Sequence, residues 1–351
     1  MPFIGCDIRM RVVFAAAAAA LSASVTLGVA QAQDQPRDNA QSKTYAMKIA
    51  IPTVGDATHR FSENFAAAVE RDSGGRIKPQ VFPASQLGSI QRMIEGTQFG
   101  TIECVSVPPE FFVGVDERFE VMAAPGLVDS MEQGQRLAAD PTVLKLILGL
   151  GADKGLHGIA MLIVNPNELV ARTPINHIAD IKGKKIRVFA SQFETVPFAQ
   201  LGATPVAMTL GDVVPALQQG TIDGALAGIP VLSAMHFKDA AKYVTRLGQP
   251  MVFGMVEVSK KWFDTLPRDL QDIVERDAAR EALAINPFAA ALVGKAFQAW
   301  TDSGGELIKL PPDEYASLIH TLSAAAEEVA KRKPSIATAY QVVKEAARRV
   351  H

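Results

Sequence analysis

Arg187 lies in the run Ile181-Lys182-Gly183-Lys184-Lys185-Ile186-Arg187-Val188-Phe189-Ala190, inside an apolar stretch that reads as a strand. A guanidinium keeps its charge, and once drawn into low dielectric it needs an anion. Other chemistries find less to work with. The six histidines are His59, His157, His177, His236, His320 and His351, and no two stand at metal-ligand spacing. H-E-x-x-H, C-x-x-C and G-x-S-x-G are absent from the sequence. Neither a metal nor a cofactor is therefore expected. Gly149-Leu150-Gly151 with Gly155 loosely matches a dinucleotide fingerprint, but it follows a helix-like run rather than a strand and reads as a helix end. Asp212 and Asp223 have the chemistry of an acid/base pair. Their positions, near a helix start and before a turn glycine, are those of capping and turn residues.

The elements that must position Arg187 follow from periodicity. Tyr45 to Pro52 alternates as a strand, and Phe61, Phe65, Ala68 and Val69 recur at helical spacing between Thr58 and Arg71. Strands are expected at 77–82, 101–107, 157–164, 185–189, 205–206, 222–226 and 252–258. Residues 169–171 extend the sheet into a second lobe. Helices are expected at 89–96, 130–139, 141–154, 193–201, 211–219 and 230–241. Pro108 to Gly126 reads as a loop with a short helix carrying large apolar side chains. From Pro267 onward the chain is helical, with a kink at Pro287. Strand–helix units of this size predict an α/β fold with mixed, mainly parallel sheets.

At 351 residues, 48% apolar and 21% charged, the chain suits two globular lobes. A formal charge of -2 and the lack of any basic block exclude nucleic acid as an expected partner. Arg9 and Arg11, the apolar run from Val12 to Val29 and Ala30-Gln31-Ala32 read as a cleaved signal peptide over 1–32 rather than a membrane anchor. Met10 is a second candidate start. Residues 33–43 read as a polar leader, and the mature chain is expected in the periplasm without stable membrane insertion. Of two cysteines, Cys6 precedes the apolar run, so Cys104 remains alone, read as a buried inert thiol.

Three further pieces give Arg187 a context. G-K-K-I-R-V leads to Leu201-Gly202-Ala203-Thr204-Pro205-Val206 with Met208, then to Ala216-Leu217-Gln218-Gln219-Gly220-Thr221-Ile222-Asp223-Gly224. Upstream stand Phe82-Pro83-Ala84-Ser85-Gln86-Leu87-Gly88, Gly74-Gly75-Arg76-Ile77, Ala124-Pro125 and Pro174-Ile175. Downstream are Lys260-Lys261-Trp262-Phe263 and Leu266-Pro267. Together these resemble the DctP-type solute receptors of tripartite ATP-independent periplasmic (TRAP) transporters, over roughly 46–284.

The resemblance implies a two-lobed periplasmic-binding-protein fold closing on a small organic acid, with long C-terminal helices spanning both lobes. Lobe I is expected at 44–164 plus 253–292 and lobe II at 165–252 plus 293–351. The family's strand arginine bridges the ligand carboxylate, a role that falls to Arg187. Integral membrane subunits of a TRAP permease are the implied partners. Several positions depart from the pattern. Where family members that bind sialic acid have a second arginine, this chain has Asn167. The acidic position after the third strand falls near Pro108, E-x-Y becomes Asp212-Val213-Val214, E-N becomes Leu226-Ala227, and the proline after R-V becomes Phe189. The expected site is Arg187 with Asn167, Phe189, Leu210, Asp212, Ala227, Phe111, Phe112, Pro108 and His59. Its apolar character predicts a monocarboxylate with an apolar or aromatic body. Two other functions are consistent with the residues alone: a secreted hydrolase or lyase using Asp212 or a histidine, and a binding subunit that senses its ligand for a signalling partner.

Overall fold

A computed structural model describes residues 43–351. The signal peptide, its cleavage after Ala32, the leader before Lys43 and Cys6 lie outside the described residues. Ten strands form one mixed sheet: β1 Tyr45–Ala50, β2 Ile77–Phe82, β3 Cys104–Val107, β4 Leu156–Ala171, β5 Lys185–Val188, β6 Thr204–Ala207, β7 Gly224–Gly228, β8 Tyr243–Thr245, β9 Met251–Ser259 and β10 Glu306–Ile308. Their order is β2-β1-β3-β9-β4-β7-β5-β6, and β8 joins β4 and carries β10.

β4 organises this sheet. Its first part, Leu156 to Pro166, runs antiparallel to β9, with a register shift between Ile163 and Asn165. From Asn167 to Ala171 it runs antiparallel to β7 instead. The expected strands at 157–164 and 169–171 are thus one continuous strand that changes partner midway. Every residue of β4 except His157 is buried, so neither face can meet solvent.

Two sets of apolar side chains explain the handover. The first segment, β2-β1-β3-β9 with the start of β4, packs into one core with Phe61, Phe65, Phe112 and Phe119. Phe61 and Phe65 lie one helical turn apart on the helix Ala57–Asp72, with rings stacked 5.7 Å apart. Burying each stabilises by roughly 1.5–3 kcal/mol. Beyond the handover, alternate residues face opposite sides. Val170, Ala225 and Ala227 pack with Trp300, while Leu169, Ala171 and Leu226 pack with Leu318 and Leu322.

The C-terminal helices tie the two segments together. The expected kink near Pro287 appears as a 42° bend between helices Arg268–Ala284 and Asn286–Asp302. Asn286–Asp302 buries Ala289 in the first core and Trp300 in the second segment. Helix Pro312–Ala330 likewise buries Leu318 in the second and Val329 in the first. The last helix, Pro334–Arg349, differs from the sequence expectation that placed it with the second lobe. Its buried stripe of Ile336, Ala339, Tyr340 and Val343 lies in the first core, where Tyr340 stacks on Phe193. Strands β8 and β10 were not expected, since three residues each are too few to show a period. Among the described residues no single helix is long and apolar enough to cross a membrane.

Candidate ligand-binding site

The carboxyl ends of two parallel strand pairs, β1 with β3 and β5 with β7, and the β4 handover converge on one cavity of about 50 Å³. Pro52 and Thr53 follow β1, Ser106 and Pro108 come from the end of β3, Phe189 follows β5, and Ala227 and Gly228 end β7. Ligands of open α/β sheets bind outside such carboxyl ends. Asn165 enters the wall where the β4 register shifts, as irregular strand positions do when they re-aim a side chain.

Arg187 is 1% exposed on β5. Its Nε donates to the Met208 carbonyl at 2.9 Å and its Nη1 to the Leu226 carbonyl at 2.8 Å. Among the described residues Nη2 makes no hydrogen bond and Arg187 has no direct ion pair. The fork is therefore held from behind, with donors left for an incoming anion. Burial pulls the guanidinium down to about 10, and Glu194 and Glu110 act against that pull. It stays charged at neutral pH. Its guanidinium also lies 4.4 Å over the Phe189 ring, whose other neighbour is Phe111 at 5.5 Å.

Behind the arginine lies a buried carboxylate pair. Glu194 Oε2 accepts from the Phe189 backbone N–H at 2.7 Å, and Oε1 faces the Asn167 carboxamide at 3.5 Å. Burial pushes Glu194 up to about 7 against the pull of that N–H and of Arg187. Burial, then Glu194, holds Glu110 well above the usual carboxylate range.

Of the residues expected at the site, Arg187, Phe189, Leu210, Ala227, Phe111 and Pro108 line the cavity. Four are placed elsewhere. Asn167 is wholly buried behind Arg187 and faces Glu194. Phe112 packs on Phe119 at 5.1 Å, because successive residues of a tight 3-10 turn point in different directions and only Phe111 can face the cavity. Asp212 is exposed, in a neighbouring depression that it shares with Phe111 and Met208. His59 sits in the first turn of helix Ala57–Asp72, where its ring accepts from the Gly55 N–H.

Five polar wall residues were not expected: Thr53, Asp56, Thr58, Ser106 and Asn165. Four of them come from the first segment's strand ends and the turn into its first helix. The strand-end rule applied to β1 and β3 points only to Thr53 and Ser106 among them. The second segment contributes Phe189, Leu210, Ala227 and Val231 beside Arg187. The first segment's wall mixes these polar groups with Pro52, Ile90, Phe111 and Val164, while the second segment's wall is apolar with a cation.

Gly228 meets Asn165 across this cavity, and an added Cβ would run into the Asn165 carboxamide. Gly228→Ala is therefore expected to lower stability by about 1–3 kcal/mol and to push Asn165 out of the wall. Thermal melting, with and without ligand, checks this. An unchanged melting temperature would show that Asn165 has room to give.

Residues 51–333 match the family model for DctP, the bacterial extracellular solute-binding proteins of family 7. The chain is a member of this family. Across 271 residues it is 27% identical to the C4-dicarboxylate-binding periplasmic protein DctP of Rhodobacter capsulatus, covering 76% of this chain and 81% of that one. Among solved structures, it resembles a TRAP periplasmic solute-binding protein of Desulfovibrio salexigens with bound orotic acid. That likeness has a TM-score of 0.83 at 23% identity, covering 88% and 100% of the two chains. It is also similar to the sugar-acid-binding protein DctPAm of Advenella mimigardefordensis in complex with galactonate, with a TM-score of 0.82 at 23% identity over 88% and 99%. The family consists of binding receptors rather than enzymes, which removes the hydrolase and lyase reading of Asp212. The receptor has the mixed α/β, two-lobed fold expected from its sequence.

Proposed function

We propose that this receptor captures a small organic acid outside the cytoplasm through Arg187 and delivers it to the membrane subunits of a TRAP-type permease for ion-gradient-driven uptake. One observation carries the reading: a fully buried arginine is anchored through Nε and Nη1 to two carbonyls and lines the cavity with donors left over. The acids bound by the similar proteins support it, as orotic acid and galactonate each carry a carboxylate. Lobe I is 44–164 plus 253–292 joined by the last helix, and lobe II is 165–252 with the intervening helices. The lobes close at the β4 handover. The mature chain works in the periplasm after removal of residues 1–32.

In this reading the ligand's carboxylate meets Arg187 and its apolar body lies along Phe189, Leu210 and Val231. A thermal-shift panel of dicarboxylates, sugar acids, aryl acids and small aliphatic monocarboxylates tests this. At a hundredfold excess over Kd, the preferred class is expected to raise the melting temperature by about 5 °C or more. Stabilisation by sialic or uronic acids and none by aliphatic acids would overturn the apolar-body assignment.

A further inference from the structure

We propose that Asp56 is a second recognition point in this cavity. It would accept a hydrogen from an amino or hydroxyl group on the ligand, so the receptor selects small substituted acids, amino acids foremost, over unsubstituted ones. The proposal rests on the reading of Arg187 as the carboxylate anchor.

Asp56 is 2% exposed and lines the cavity together with Arg187. Its Oδ1 accepts from Thr53 Oγ1 at 2.9 Å and from the His59 backbone N–H at 2.9 Å. Oδ2 makes no hydrogen bond among the described residues. Capping helix Ala57–Asp72 needs only the first oxygen, and serine or asparagine caps a helix as well. A buried charge is more than the cap requires. Ser106 adds an independent observation: it is fully buried, lines the same cavity, and its hydroxyl has no partner. Buried polar atoms of this kind are rare and call for a partner that completes them.

Charge balance narrows the ligand. A plain carboxylate held on Arg187 would share a small, water-poor space with the Asp56 carboxylate, and like charges repel strongly there. Burial already holds Asp56 above its usual range, against the pull of the His59 N–H and the Thr53 hydroxyl. A ligand carrying both a carboxylate and an ammonium pairs Arg187 with one end and Asp56 with the other. It enters the cavity with no net charge. A hydroxyl in the same place completes the hydrogen bond without balancing the charge, so it should bind less tightly than the amine.

The test uses matched sets of three- to six-carbon acids (unsubstituted, 2-hydroxy, 2-amino and 3-amino) titrated calorimetrically into the wild type, Asp56→Asn and Asp56→Ser. Both replacements keep a capping side chain, so the fold is retained by at least one. The wild type is expected to prefer an amino or hydroxy acid over its unsubstituted partner by at least about tenfold. Both variants should reduce that preference to near unity, with the unsubstituted acid binding more tightly because a negative charge has gone. A wild type without preference, or variants that keep it, would reduce Asp56 to a helix cap. Arg187→Lys in the same titrations separates the two readings. If it binds every acid as the wild type does, the carboxylate anchor is wrong, whatever Asp56 shows. If no acid in the panel binds the wild type, both assignments fall.

Discussion

Arg187→Lys is expected to weaken ligand binding by about a hundredfold or more, although it preserves the charge. Lysine is a compact point charge that cannot span two carbonyls and still offer a parallel pair of donors to a carboxylate. In the wild type the Met208 and Leu226 carbonyls hold the guanidinium from one side. A lysine must either satisfy one of them or turn to the ligand. Truncating a buried hydrogen-bonded charge partner costs about 2–5 kcal/mol in binding, which sets the scale. Arg187→Ala should abolish measurable binding but is the poorer experiment. It strands both carbonyls, at about 1–3 kcal/mol each, and leaves Glu194 and Glu110 without the one cation that acts on them among the described residues, so stability falls together with affinity. Calorimetry on Arg187→Lys, well below its melting transition, isolates recognition. An affinity within threefold of the wild type would show that the ligand does not use the arginine fork.

Arg187 was legible in the sequence because a permanent cation in an apolar strand is a conflict that only a partner resolves. Phe189 and Ala227 were legible because they sit at the ends of β5 and β7, where the family's pattern also changes. The polar wall was hidden for a different reason. Thr53, Asp56 and Thr58 occupy a turn whose residue types are ordinary for a helix start, and nothing local distinguishes a cap from a cap that also faces a cavity. Asn165 depends on the register shift in β4, which exists only once β9 is paired alongside. The neighbours Phe111 and Phe112 show the limit of resolution. Sequence places both large side chains after β3, and only the 3-10 geometry decides which one reaches the site. The expected site drew its polar groups from Asn167, Asp212 and His59, whereas the polar side chains that line the cavity stand at the ends of β1 and β3, in the turn into the first helix and at the β4 register shift.

Stability is expected to fall as pH rises from about 5 to 8, and Glu194→Gln should remove much of that fall. The Glu194 carboxyl is pushed up to about 7 in the folded protein, from an ordinary value of 4.5. A carboxyl that holds its proton more tightly when folded favours the folded state at low pH. That contribution is complete below the unfolded value and disappears as pH climbs through the folded one. Each unit of difference corresponds to about 1.4 kcal/mol, so at pH 8 the cost of ionising Glu194 is on the order of a few kcal/mol. Glutamine keeps an oxygen to accept from the Phe189 N–H and carries no charge to desolvate. The variant should match the wild type near pH 4.5 and exceed it at pH 8, with the gap opening between those values. Glu168, pushed up to about 7 by burial, adds a slope of the same sign in both proteins and cancels in the difference. Binding should follow the same group. A ligand anion on Arg187 disfavours the ionised form of Glu194, so binding takes up a proton and wild-type affinity rises as pH drops from 8 to 6. Denaturant melts and titrations at pH 5, 6, 7 and 8 measure both effects. Parallel stability curves for the two proteins would show that Glu194 is already ionised when folded, with Arg187 and the Phe189 N–H together outweighing its burial.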